Sequence, residues 1–460
     1  MELHARQFIA GPHHAARENL HEHDSFGSLH ISFHSKLDLV RTEIDDCEFV
    51  ALGHLIDPSR PRARNEDVVR NLDACRSFDD VENVIAGIGG RWLLFARIGG
   101  DARLYPDAGG SKSVFYKDGW VASQPGLFGF PVDDGLSQFP TACTWPMGET
   151  PFPGVRQLLP NHYLDLRTFG AIRFGPRAPQ ALNVDDAVTA ISDILRGTLE
   201  ALDHRGTVAL PLTGGRDSRT LLSAGVEMKS RLKLFTIVDE ETPRHDYVIP
   251  RILSKVIGEP IHFIKTPPHE DMRVNTAGLW QDRFQRRLPA FAQADFVVLG
   301  HMSEICRCCY WTDGVPKKAT PELLSKIAGF GGERLDAFAN WLAGVPTDSK
   351  VDPLDLFYWE SRVGIWSSLC CTVLDGYCEV ISPYNCRTLI EAGLGVDVAY
   401  RRRSWEMHKR LCRPDMRFVP FNETRLDGVD EYLAARIPRR VQMLIKRLDY
   451  SMTSFVADGT

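Results

Sequence analysis

The residues best placed to do chemistry lie in Val208-Ala-Leu-Pro-Leu-Thr-Gly-Gly-Arg-Asp-Ser-Arg-Thr-Leu-Leu222. An apolar run meets adjacent glycines, then a carboxylate and a hydroxyl, then a helix-like segment led by Arg219. A strand, a tight loop and a helix start make an anion site. The first helical amides are unpaired, the helix dipole is positive there, and glycine lets a phosphate approach the backbone. Leu212, Thr213, Gly214, Gly215, Asp217 and Ser218 are therefore candidate phosphate-binding residues, and Asp217 is placed to hold the Mg²⁺ that accompanies phosphates. The order differs from the G-x-x-x-x-G-K-[ST] loop, because the glycines are adjacent and no lysine follows. A second concentration is Val297-Val-Leu-Gly-His-Met-Ser-Glu304, an apolar run entering a polar turn with an imidazole, a hydroxyl and a carboxylate. A third, Leu356-Phe-Tyr-Trp-Glu-Ser-Arg-Val-Gly-Ile-Trp366, sets Glu360 and Arg362 in an otherwise apolar helix.

Elements that would position these groups follow from the apolar pattern. Arg173-Phe-Gly-Pro-Arg-Ala-Pro-Gln180 reads as a connection, dividing the chain into residues 1–180 and 181–460. Asn183 caps a helix from Val184, with a stripe through Ala187, Ile191, Leu195 and Leu202. Beyond it, strands at 208–212, 232–238 and 296–299 alternate with helices ending near Ala224 and Ile257. That alternation predicts a parallel sheet with helices on its faces, whose strand ends bind ligands. From about Leu354 the chain reads as mostly helical.

The first part reads instead as strands and turns: Phe49-Val-Ala-Leu-Gly-His-Leu55, Arg91-Trp-Leu-Leu-Phe-Ala-Arg97, Arg103-Leu-Tyr105 and Val114-Phe-Tyr116, with Asp107-Ala-Gly-Gly-Ser111 as a turn. Gly87-Ile-Gly-Gly90 precedes a strand and not a helix, which removes it as a dinucleotide loop. The expected class is an α+β N-terminal domain, β-sandwich in character, followed by an α/β parallel-sheet domain with a helical C-terminal lobe.

At 460 residues the chain exceeds one hydrophobic core. Its formal charge of -6 gives no electrostatic case for nucleic acid or an anionic membrane, and no apolar run is long enough to span a bilayer, so a cytoplasmic location is expected. Eleven cysteines of irregular spacing fit free buried thiols better than disulfides or zinc, although Cys306, Cys308, Cys309, Cys370 and Cys371 cluster. The early histidines (His4, His13, His14, His21, His23, His30 and His34) read as an exposed polar segment.

The first loop resembles the S-G-G-x-D-S pyrophosphate loop of the ATP pyrophosphatases, most closely the asparagine synthetase and β-lactam synthetase branch, with Thr213 in place of the first serine. The second segment is similar to that family's S-G-E-G-S-D-E, with Gly300, Ser303 and Glu304 on its glycine, serine and aspartate. The resemblance implies ATP across residues 213–218 and Mg²⁺ held by Asp217 and Glu304, since two converging carboxylates repel without a cation between them. It places His301 where family members face the activated carboxyl, to orient or deprotonate an amine. It also makes Glu360 a candidate to assist the nucleophile, and it implies that Ile237 or Val238 lies beside the adenine.

Gly89-Gly-Arg-Trp-Leu-Leu-Phe95, residues 103–116 and Gly154-Val-Arg-Gln-Leu-Leu-Pro-Asn-His-Tyr163 resemble the family's glutaminase-type amidotransferase domain. Its nucleophile is a cysteine after the initiator Met. Glu2 stands there instead, which implies that the domain lacks glutaminase chemistry. Ser382-Pro-Tyr-Asn-Cys-Arg387 replaces an R-x-P-F-x-D pattern of the substrate wall. Lys409, Arg417, Arg425 and Lys446 are the candidates for the lysine that stabilises departing pyrophosphate, and Arg216 and Arg219 for exposed ion pairs or phosphate contacts.

The function expected from this resemblance is an ATP-dependent, AMP- and pyrophosphate-forming amide ligase joining a small-molecule or peptide carboxylate to an amine. A biosynthetic partner protein or a homodimer is the expected assembly. Three other readings stand beside it: a lactam or lasso-peptide macrolactam cyclase, an asparagine synthetase using free ammonia, and a nucleotide-binding scaffold without turnover.

Overall fold

The computed structural model describes residues 4–129, 145–239, 242–243, 245–266, 288–311, 317–402, 404–417 and 419. The apolar runs of the first part form two antiparallel sheets of six strands each. One runs Arg156–Gln157, Phe115–Lys117, Trp120–Ala122, Phe8–Gly11, Leu29–Phe33, Glu22–Phe26; the other runs Gly170–Arg173, His162–Asp165, Asp101–Pro106, Gly89–Ile98, Cys47–Ile56, Leu39–Ile44. Alternation along the Cys47–Ile56 strand decides how they pack, because successive side chains point to opposite faces. Val50 and Leu52 join Phe8, Ile31, Leu93 and Phe95 in one core. Phe49 and Ala51 join Val68, Val81 and Ile85 of the short helices on the other face. Burial on both sides explains why Phe49-Val-Ala-Leu reads as a continuous apolar run rather than an alternating one.

The Val184–Arg205 helix begins where Asn183 accepts a hydrogen bond from the Asp186 amide. Beyond it the strands form a parallel sheet of five, in the order His262–Lys265, Lys233–Val238, Val208–Pro211, Phe296–Val298, Glu379–Ile381. The chain lays its strands outward on one side of Val208–Pro211, then returns to lay Phe296–Val298 on the other. That reversal opens a crevice between the carboxyl ends of these two central strands. The Glu379–Ile381 edge strand interrupts the helical reading of the C-terminal part; with only three residues it leaves almost no periodicity to detect. Between residues 358 and 367 the helical segment is π-helical, Tyr358–Ser367. No helix among the described residues is long and apolar enough to cross a membrane.

The antiparallel part and the parallel sheet share buried contacts. Arg91 sends its guanidinium to Asp375 and Glu379, and Gln7 Nε2 reaches Asp375 at 2.8 Å. Asn385 donates to Gly90 O at 2.6 Å and Asp107 Oδ1 at 2.9 Å, so part of the 382–387 segment is spent on the antiparallel sheets.

Candidate functional site

A cavity of about 470 Å³ lies at the crevice, lined by Leu212, Thr213, Asp217, Ser218, Gly300, His301 and Glu304 together with Tyr358, Arg362 and Trp366. The loop closes on itself first. Thr213 Oγ1 accepts from the Gly215 amide at 3.1 Å, and Ser218 Oγ lies 3.3 Å from the Thr213 amide. The Arg216–Ala224 helix then starts with Asp217 in its first turn, a favourable end for a carboxylate or a phosphate. Gly214 donates its amide to Asp246 Oδ1 at 2.8 Å, so a carboxylate already sits on this loop.

Gly300 has a packing role. A Cβ there would stand 2.5 Å from that of Asp217, so glycine lets the second strand end approach the first. The turn that follows holds Met302 at φ 85°, a left-handed conformation uncommon for a residue other than glycine. It leads into the tight Ser303–Arg307 turn, which carries three functional groups. Ser303 Oγ donates to Asp217 Oδ1. Arg307 Nη2 lies 3.0 Å from Glu304 Oε1 and 3.3 Å from Asp217. His408 Nε2 adds a third approach to Asp217 at 3.6 Å, with its Nδ1 2.8 Å from Thr220 Oγ1.

Electrostatics mark the same groups. Burial, and then Asp217, raise the Glu304 carboxyl to about 7. Its Oε2 is buried without a hydrogen-bond partner. Burial, then Arg91, hold the His301 imidazole down to about 4, so it is neutral at pH 7. Burial likewise holds His408 down to about 3. Among the described residues no group of three or more His, Cys, Asp or Glu is arranged to hold a metal. A hard cation such as Mg²⁺ needs only one or two carboxylates and completes its shell with water and substrate phosphates. Asp217, Glu304 and its unpartnered oxygen fit that donor set.

Several expected residues are placed elsewhere. Glu360 is fully buried away from the cavity, held by Arg173 and accepting from Asn161 Nδ2 at 3.0 Å and Trp341 Nε1 at 2.7 Å. With these donors around it, it ties elements together and has no access to a nucleophile. Arg362 is the charged residue of that segment at the cavity, with its guanidinium 3.6 Å from the Trp366 ring centroid. Ile237 lines the cavity and Val238 does not; the Val238 carbonyl accepts from the Thr266 amide at 3.2 Å. Arg219 is buried, not exposed, and donates to the Val419 carbonyl.

The remaining expectations are soon placed. Lys409 is exposed and Arg417 bonds the Cys412 carbonyl at 2.7 Å, both outside the cavity lining. Glu2, Arg425 and Lys446 lie outside the described residues. The cysteines described are free thiols, buried except for Cys309. The early histidines are mostly exposed, but His34 is buried and its Nδ1 accepts from the Lys36 amide at 3.0 Å. Arg307, His408 and Asp246 carry no motif and come together only in space.

No family model and no curated protein matches the chain. Among solved structures it is similar to one described as the allosteric regulatory enzyme of purine biosynthesis, at 10% identity and a TM-score of 0.25, over 57% of this chain and 75% of that one. It is also similar to glutamine phosphoribosylpyrophosphate amidotransferase from B. subtilis complexed with ADP and GMP, at 9% identity and a TM-score of 0.24, over 65% of this chain and 70% of that one. At TM-scores this low neither likeness carries an argument about this chain.

Proposed function

We propose that the protein is an ATP-dependent ligase that adenylates a carboxylate, releases pyrophosphate and passes the acyl group to an amine. The observation that carries this reading is the meeting of the Thr213–Ser218 loop with Asp217 and Glu304 at the carboxyl ends of adjacent parallel strands. In that arrangement the helix start and loop amides hold the β- and γ-phosphates as one unit, leaving the α-phosphorus exposed to the cavity. A substrate carboxylate oxygen forms a bond to the α-phosphorus as the bond to the bridging oxygen breaks, and pyrophosphate departs. Mg²⁺, when bound through Asp217 and Glu304, supplies charge to the departing oxygens. The amine nitrogen then bonds to the acyl carbon, the bond to the AMP oxygen breaks, and the amine proton is lost to solvent.

His301, neutral at pH 7 and weakly basic, accepts a hydrogen bond from the incoming amine and orients it; a group held down to about 4 is a poor store for its proton. Arg362 adds a cationic side chain to the cavity lining, where it attracts an anionic part of the acyl substrate or nucleotide. The neighbouring Phe291, Tyr358, Val363, Trp366 and Leu374 favour an acyl group with an apolar body, which supports the lactam or peptide cyclase version of this chemistry over an aspartate-specific one.

The test is a single turnover with ATP labelled at the α-phosphate and a panel of carboxylates and amines. Labelled AMP with pyrophosphate is expected; labelled ADP as the main product overturns the assignment. Asp217→Asn is expected to lower ATP–pyrophosphate exchange by about 100-fold or more, on the scale of losing one preorganised electrostatic contact.

A further inference from the structure

Asp217 and Glu304 line the cavity, whereas Arg307 touches both without lining it. One nitrogen, Nη2, serves the two carboxylates. The side chain is 14% exposed, and its Nε is buried without a partner. Glu304 and Arg307 belong to the same tight turn, where residues three apart eclipse, so the two side chains stand side by side. The result is a permanent positive charge set behind two carboxyl groups.

We propose that Arg307 makes this cleft selective for a divalent cation that arrives with a polyphosphate, and disfavours the free cation; the inference rests on the ligase reading above. In the ionised form that takes a cation, the two carboxylates carry two negative charges, and Arg307 cancels one. A free divalent cation would then leave the buried group with net positive charge, which is costly in a medium of low dielectric constant. A metal–triphosphate complex is anionic, and the same guanidinium attracts it. Removing Arg307 therefore moves the two affinities in opposite directions. A residue that merely holds the turn together would weaken both.

The experiment compares the wild type with Arg307→Met and Arg307→Lys by two titrations. Free Mn²⁺ binding is followed by electron paramagnetic resonance, and Mg·ATP binding by calorimetry. Arg307→Met is expected to bind free Mn²⁺ at least about tenfold more tightly and Mg·ATP at least about tenfold more weakly, each corresponding to about 1.4 kcal/mol. Arg307→Lys, which keeps the charge, is expected to stay near the wild-type ratio. If Arg307→Met does not fold, Arg307→Gln, which keeps hydrogen-bond donors toward the carboxylates, reads the same ratio. Unchanged Mn²⁺ affinity, or a parallel loss of both affinities, overturns the role assigned to Arg307 and leaves the ligase reading standing. A folded wild type that binds neither Mn²⁺ nor Mg·ATP overturns the ligase reading itself.

Discussion

Arg91 meets Asp375 and Glu379 where the antiparallel sheets press against the parallel one, and Arg307 meets Asp217 and Glu304 at the cleft. Each cluster sets one arginine between two carboxylates. Around Arg91 all four carboxylate oxygens are engaged: both of Asp375 by Arg91, and those of Glu379 by Arg91 and by Arg6 Nε at 3.3 Å. Burial alone would raise the Glu379 carboxyl, but Lys112, Arg91, His54 and Arg6 together outweigh it and hold it down to about 2. Around Arg307 one Glu304 oxygen has no partner and that carboxyl is pushed up to about 7. The same parts make a fastener when the donors suffice and leave an unpartnered oxygen at a cavity when they fall short. Buried charge is therefore a guide to function only after its hydrogen bonds have been counted.

Breaking the satisfied cluster should do the greatest damage. Arg91→Met leaves Asp375 and Glu379 buried without their main partner, and a loss of about 3–5 kcal/mol is expected in chemical denaturation. Arg307→Met in the same assay should cost clearly less, because its carboxylates border the cavity. Equal losses would erase the distinction between the clusters. Glu360→Gln provides an intermediate case. It removes the charge facing Arg173 and should lower stability by about 1–3 kcal/mol. A fall in pyrophosphate exchange beyond the loss of folded protein would return Glu360 to the chemistry. The last effect is a slope with pH. Glu379 sits below its ordinary value of 4.5 in the fold, so the stability it contributes is present above about pH 4.5 and is lost as pH falls toward 2. Denaturation midpoints across that window should decline, and Glu379→Gln should flatten the decline. An unchanged slope would mean that Glu379 does not ionise inside the fold.

The strand–loop–helix around Asp217 and the strand end before Glu304 were legible because each is written in contiguous residues: an apolar run, glycine, then polar groups. The alternation of strands and helices likewise announced the parallel sheet. Arg307, His408 and Asp246 were not legible, since they meet the loop from 90, 191 and 32 positions away and share no spacing with it. Glu360 was misplaced for a different reason. It was carried over from the resemblance alone, and its segment is π-helical, with more residues per turn than an α-helix, which brings Arg362 and not Glu360 to the cavity. Arg219 reads as an exposed ion-pair former or a phosphate contact, and only the fold brings the Val419 carbonyl to it.

The bond from the Gly214 amide to Asp246 has a consequence for how tightly any anion is held. The loop has a resident, so a phosphate arriving at Gly214 exchanges one negative group for another. Its apparent affinity is the intrinsic affinity multiplied by the fraction of molecules in which Asp246 has let go. The start of the His245–Ile257 helix would thus set a toll on any ligand of the loop. On the proposed function, small anions that cannot recover the loss through further contacts would be turned away, while a nucleotide would spread it over its base, its sugar and its other phosphates.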